Sequence, residues 1–184
     1  MAIWNVLGNT YLGSDTSTVT FSSISGSYQH LCVKAVCRNT TSTANLKRYH
    51  KIQVGNGSVS TSTSDYSETV WYANAGAVTG TTTTSGTNGH VPAYYMNNDG
   101  SPADTFGYLE VWFFDYSSTS KKKQIGVAGT MNAGTSTTSS ERNMGMASGN
   151  YLGTAAIDII TFTVSADNYK TGCEFTLYGV NGAD

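Results

Sequence analysis

The stretch Tyr28–Arg38, YQHLCVKAVCR, restricts the fold more than any other part of the chain. It alternates with period two: Leu31, Val33, Ala35 and Cys37 fall on one side, and His30, Cys32, Lys34 and Arg38 on the other, with Val36 the one apolar exception. A helix would scatter these residues around its circumference, whereas a strand sorts them into two faces. The register is defined by the apolar face, since a slip of one residue would turn Lys34 and Arg38 inward. The sequence therefore predicts a strand with one side on a core and the other facing solvent or a partner.

Further segments repeat the pattern between turn signals. Ser17–Ile24 is expected as a strand with Val19 and Phe21 inward, and Leu46–Val54 as one in which Leu46, Ile52 and Val54 share a face with Arg48 and His50, opposite Lys47, Tyr49, Lys51 and Gln53. Glu68–Ala73 and His90–Met96 are expected as short strands, and Thr79–Gly89 as a loop or edge ribbon. Tyr108–Asp115 is the most hydrophobic strand and is predicted to be central. Leu109, Val111 and Phe113 point one way, Tyr108, Trp112 and Phe114 the other. Apolar residues on both sides predict burial on both sides, by a second sheet and by a neighbouring subunit or loop. Glu141–Gly149 is expected as a flexible edge strand; Thr154–Val164 and Cys173–Val180 complete the set. Eight to ten short strands without an amphipathic helix predict an all-β, jelly-roll-like antiparallel β-sandwich. The expected division is an N-terminal arm, residues 1–14, and one β-sandwich domain, residues 15–184.

Composition agrees with strands and limits function. Charged residues make up 12% of the chain, about half the usual share. Twelve Tyr, six Phe and three Trp argue against disorder. With ten basic and twelve acidic residues there is no electrostatic footprint for nucleic acid. No apolar run is long enough for a membrane-spanning helix, and the first residues lack the pattern of a signal peptide. The three Cys are expected as free thiols of a protein made in a reducing cytoplasm. Cys32 and Cys37, five apart on one strand, fall on opposite faces and cannot pair there.

Motifs for chemistry are absent. His30, His50 and His90 have no metal-ligand spacing, so neither a metal nor a cofactor is expected. Neither a nucleophile elbow nor a phosphate loop occurs. Glu110 beside Trp112 has the makings of a sugar-binding pair or of a salt bridge at a core or interface position, and Asp115, Asp158 and Glu174 are the other candidate acids for glycoside chemistry. The run Lys121–Lys122–Lys123 is either a solvated hairpin end or a basic contact to an acidic partner surface. Catalysis is not expected.

Three blocks carry a resemblance. FSSISGSYQHLCVKAVCRNTTS, ADTFGYLEVWFFDYSSTSKKKQIGVAGTMNAG and YLGTAAIDIITFTVSADNYKTGCEFTLYGVNG together span about half of the chain. In order and pattern they resemble small β-sandwich structural proteins of tailed bacteriophages. The shared features are the Tyr-x-x-Leu strand ending in a basic residue, the Asp-Tyr hairpin, and the closing Leu-Tyr-Gly. Where family members often have Asn-Gly-Asp after the third strand, this chain has Val54-Gly55-Asn56-Gly57. The resemblance implies a non-enzymatic virion protein. The expectation is a homotrimeric head-decoration (cement) protein bound to the major capsid protein on the capsid surface, with no nucleic-acid or membrane partner. The alternative is a head-fibre or tail-fibre module that grips host polysaccharide, with Trp71, Tyr94, Tyr95 and Trp112 stacking on sugars. Trp4 and Tyr11 are the candidates for capsid docking, Tyr108, Trp112 and Phe114 for the subunit interface, and Lys121, Lys122 and Lys123 for basic contacts.

Overall fold

In a computed structural model, residues 3–42, 48–74, 77–83, 89–94, 96–132 and 142–181 are described. The expected Leu46 position on the fourth strand, residues 1–2 of the arm, and Tyr95 of the sugar-stacking set lie outside the described residues.

Nearly every described element is a strand. They are β1 (Ile3–Tyr11), β2 (Thr18–Phe21), β3 (His30–Asn39), β4 (Tyr49–Asn56), β5 (Ser58–Val59), β6 (Tyr66–Asn74) and β7 (Ala77–Thr83), followed by β8 (Val91–Tyr94), β9 (Asn97–Asn98), β10 (Gly107–Phe114), β11 (Lys123–Asn132), β12 (Arg142–Tyr151), β13 (Ile159–Val164) and β14 (Glu174–Asn181). One 3-10 turn, Thr63–Asp65, precedes β6. The larger sheet runs β1-β14-β3-β10-β11-β12-β6-β7, with β9 added to β3; the smaller runs β2-β13-β4-β5, with β8 added to β4. Pairing is antiparallel except for the short β3–β9 contact. The all-β sandwich expected from the sequence is what forms.

The alternation decides how the sheets stack. In β3, Leu31, Val33, Ala35 and Cys37 are buried inward, as are Leu109, Val111 and Phe113 of β10 and Phe175 and Leu177 of β14. They meet Val19 and Phe21 of β2, Ile52 and Val54 of β4, and Ile160, Phe162 and Val164 of β13. Phe162 of the smaller sheet packs on Phe175 of the larger, ring centroids 5.6 Å apart. Each fully buried side chain of this size contributes about 1.5–3 kcal/mol. Gly149 lets the sheets approach where β12 passes β8: a Cβ there would lie 2.5 Å from Val91. Gly57, at φ +72°, makes the β4–β5 turn that Gly55-Asn56-Gly57 signals.

Two expectations are corrected. Residues 3–11 are not a separate arm: β1 pairs with β14 from Ile3–Asn181 to Tyr11–Glu174, with a bulge between Val6 and Gly8. It is an edge strand of the sandwich, because its backbone groups find partners along the open side of β14. Likewise β12 is not an edge; it lies between β11 and β6, paired over its length on both sides. Its Gly and Met residues suggested a loose strand, but the inward Gly149 makes room for Val91 of the opposing sheet.

Candidate functional site

The outer faces of the two sheets differ. On the smaller sheet the outward positions are polar. Thr18, Thr20, Thr161 and Thr163 form a hydroxyl ladder, with Thr20 3.1 Å from Thr161 and Thr18 3.5 Å from Thr163, and Lys51 and Gln53 continue the row on β4. On the larger sheet the outward positions mix polar side chains, among them Lys34, Glu110, Ser148 and Glu174, with large apolar ones. Trp4, Val6, Tyr11, Val36, Trp71, Tyr108, Phe114, Met144 and Met146 are all exposed there. Only one exposed large apolar side chain among the described residues, Ile3, is off this face. Water suits the first face; the second is the kind of surface that binds another molecule.

Its most organised part is an aromatic ladder across β14, β1, β10 and β3. Trp4 meets Trp112 edge-on at 5.2 Å and Tyr178 at 5.6 Å. Trp112 stacks on Phe114 at 5.9 Å, and Phe114 meets His30 at 5.4 Å. The register explains the grouping: Trp112, Cys32 and Tyr178 are opposite one another on adjacent strands, and Trp4 lies opposite Val180, on the same face one pair along from Tyr178. Beside the ladder, Glu110 accepts hydrogen bonds from the Tyr108 hydroxyl at 2.5 Å and from Trp112 Nε1 at 2.7 Å, and pairs with Lys34 at 3.6 Å. Lys34 also lies over the Trp4 ring, 5.0 Å from its centroid. Partial burial pushes the Glu110 carboxyl up, but the Tyr108 and Trp112 hydrogen bonds and the Lys34 ammonium outweigh it and hold it below the usual carboxylate range. A carboxylate held ionised and paired is poorly placed to serve as a general acid. Beneath the ladder, Cys32 is fully buried, its thiol pushed up to about 12 by burial and by Glu110, which keeps it protonated and inert.

Two residues assigned to different roles from the sequence thus form one site. Trp4, a docking candidate, touches Trp112, an interface candidate, while Tyr11 lies at the opposite end of β1 from Trp4. Tyr108, Trp112 and Phe114 share the outward side of β10 as expected. The basic run divides. Lys121 and Lys122 are exposed, with Lys121 2.9 Å from Asp115. Lys123 is corrected: it is fully buried and cannot be a surface contact. It shares the inward parity of Ile125 and Val127 on β11, so its ammonium turns inside and donates to the carbonyls of Lys121 at 2.6 Å and Thr154 at 2.9 Å. Lys123→Ala is expected to lower unfolding free energy by about 2–3 kcal/mol, because two carbonyls lose their donor and a gap opens; urea unfolding followed by circular dichroism measures it.

Sequence reasoning missed Tyr178, Val36 and the methionines. Met144 and Met146 stand two apart, separated by Gly145, which is the signal of a strand face. Trp71 of the sugar-stacking set lies beside Met146, not beside Trp112. Among the described residues, no group of three His, Cys, Asp or Glu is placed to hold a metal, and no helix is long and apolar enough to cross a membrane. The three cysteines are free and buried.

No protein-family model matches the sequence, and no curated protein matches it.

Proposed function

We propose that this chain is a non-enzymatic structural protein of a tailed-phage virion, a decoration protein that binds the head exterior as a homotrimer and stabilises the capsid. The observation that carries the reading is where the exposed large apolar side chains lie: aromatics and methionines stand out from the larger sheet, while threonines line the outer side of the smaller one. The three sequence blocks that resemble phage β-sandwich proteins supply the virion context. The major capsid protein is the proposed partner, and the protein would be made in the bacterial host cytoplasm. Exposed Tyr11, Lys121 and Lys122 are the docking candidates that the aromatic ladder leaves unused. Deleting residues 1–14 would strip an edge strand from β14 and so confuse docking with folding; point substitutions at Tyr11 and Lys122 are cleaner.

Purified protein is expected to bind undecorated heads saturably and to raise the temperature at which they release DNA. Absence of binding to heads, or particle location confined to the tail, would refute the decoration reading. One observation favours a second reading, a polysaccharide-binding fibre module: Glu110 lies between Tyr108 and Trp112, a carboxylate flanked by rings. Glycan-array binding abolished by Trp112→Ala, with no binding to heads, would select it.

A further inference from the structure

A cleft of about 440 Å³ opens past the end of β3, between the β9–β10 turn and the loop that leads from β13 into β14. Arg38, Asp99, Asp104, Phe106, Lys170 and Thr171 are among its lining. It lies apart from the aromatic ladder, since Arg38 is well along β3 from Cys32, roughly 20 Å away. Hydrogen bonds fix its walls. Arg38 Nε donates to Asp99 and Nη2 to the carbonyl of Ser101, both at 3.0 Å. Lys170 donates its ammonium to Asp99 at 2.6 Å and its backbone N–H to the Arg38 carbonyl at 2.8 Å. Thr171 gives its backbone N–H and its hydroxyl to Asp15, at 2.8 and 3.0 Å. Phe106 is half-buried against the core, and Gly172, at φ +91°, lets the chain pass close to its ring: a Cβ there would lie 3.3 Å from Phe106.

We propose that this cleft binds a neutral saccharide unit, held by hydrogen bonds to Lys170, Asp104 and Thr171 with the Phe106 ring against its C–H surface. The inference goes beyond the decoration reading and does not rest on it. It also places the sugar away from Trp112, on which the polysaccharide reading depends.

Size, charge and chemistry select that ligand. The volume falls within the roughly 300–1,000 Å³ of small-molecule sites. In the lining, Arg38 and Lys170 balance Asp99 and Asp104, so neither an anion nor a cation finds an excess of opposite charge. The polar groups left for a ligand are mixed. The Lys170 ammonium has three hydrogens and gives one to Asp99, which leaves donors free. The Thr171 hydroxyl, its own proton directed to Asp15, presents lone pairs. Asp104 is exposed and makes no hydrogen bond or ion pair with any described residue, so its carboxylate is an open acceptor. A sugar hydroxyl both donates and accepts, so one ring answers all three side chains. Its C–H surface suits the Phe106 ring. An apolar ligand would instead strip water from Lys170 and Asp104 and return no hydrogen bond. Because the ion pairs among Arg38, Asp99 and Lys170 already hold the walls, little ordering cost falls on binding.

The test titrates the full ¹⁵N-labelled chain with maltotriose, cellotriose and triacetylchitotriose and follows the backbone amides by NMR, with circular dichroism as the folding control. At least one of these sugars is expected to shift the amides of residues 99–106 and 170–172 saturably. Lys170→Ala and Asp104→Gly are each expected to weaken that binding by about tenfold or more, the usual loss when a hydrogen bond to a charged group is removed. Both variants spare the fold: Lys170 is 40% exposed, and Asp104 sits at φ +60°, a conformation glycine adopts freely. Trp112→Ala is expected to leave the affinity unchanged. If none of the sugars moves these amides, or if binding survives both Lys170→Ala and Asp104→Gly, the inference is overturned. Binding lost in Trp112→Ala but kept in Lys170→Ala also overturns it, and puts the sugar on the aromatic ladder as the polysaccharide reading has it. Shifts at these residues from sodium phosphate or tetramethylammonium chloride, with none from the sugars, would make the ligand an ion and overturn it equally. A chain that binds sugar here but does not bind heads refutes the decoration reading and leaves this site standing.

Discussion

Arg38→Ala is expected to lower unfolding free energy by about 3–5 kcal/mol, the usual cost of removing one partner from a buried ion pair. The Arg38 side chain is only 5% exposed. Its Nε donates to Asp99 at 3.0 Å, Nη1 to the carbonyls of Pro102 at 2.7 Å and Thr105 at 3.1 Å, and Nη2 to the carbonyl of Ser101 at 3.0 Å. One guanidinium therefore holds the whole turn between β9 and β10 against the end of β3. Alanine would leave three carbonyls and a carboxylate without that donor, in a site the turn shields from water. For a chain of this size the loss corresponds to a fall in Tm of roughly 6–20 °C. Lys170 also contacts Asp99, at 2.6 Å, but is 40% exposed, and Lys170→Ala is expected to cost less than about 1 kcal/mol. Equal shifts in thermal unfolding for the two variants would show that the Arg38 network does not hold the turn.

Acidification from pH 7 to pH 4 is expected to destabilise the protein strongly, with His50 the largest contributor. This ring faces the core from β4. One nitrogen is 2.9 Å from the Tyr169 hydroxyl and the other 3.6 Å from Cys37 Sγ. Burial lowers its pKa from 6.5 to about 3. The thiol and the phenol that face it are pushed up by burial and stay neutral, so nothing charged stabilises an imidazolium there. The unfolded chain binds a proton at His50 below about pH 6.5, and the folded chain binds none until about pH 3. Stability is thus intact above pH 6.5 and falls as pH drops through that window, by about 2 kcal/mol at pH 5 from this group. His90, lowered to about 4 by burial and by Lys51, acts in the same direction. So do Asp99 and Asp115, whose carboxyls are held below their ordinary range. At Asp99, burial is outweighed by Lys170 and Arg38; at Asp115, the Lys121 hydrogen bond dominates. Their contribution is lost later, as pH falls through their folded values. His50→Gln should flatten the urea-midpoint profile between pH 6.5 and 4.5 relative to wild type, whatever it costs at pH 7. A profile of unchanged slope would mean that His50 is not the acid-sensitive group.

Strand parity was legible in the amino-acid sequence because a strand has only two faces. The inward sets Leu31–Val33–Ala35–Cys37, Leu109–Val111–Phe113 and Ile160–Phe162–Val164 follow directly from alternation, and so does the outward grouping of Tyr108, Trp112 and Phe114. The expected burial of the second apolar face of β10 is not seen within the chain, where Tyr108 and Phe114 are exposed.

Alternation says nothing about neighbours, and that is where the expectations departed from the fold. Nothing local indicates that β1 would lie along β14 and carry Trp4 onto Trp112, since the pairing joins residues at opposite ends of the chain. Arg38 and Cys32 have the parity of a solvent face but are buried, one by the turn before β10, the other beneath the rings of adjacent strands. Lys123 shows the reverse: its parity is inward, but its charge suggested the surface, and only the carbonyls of Lys121 and Thr154 make the buried position tolerable. The period of a strand is a property of its own backbone. Which strand lies beside it, and so which side chains share a face, depends on hydrogen bonds to other segments, some more than a hundred residues away, and only the tertiary structure contains those.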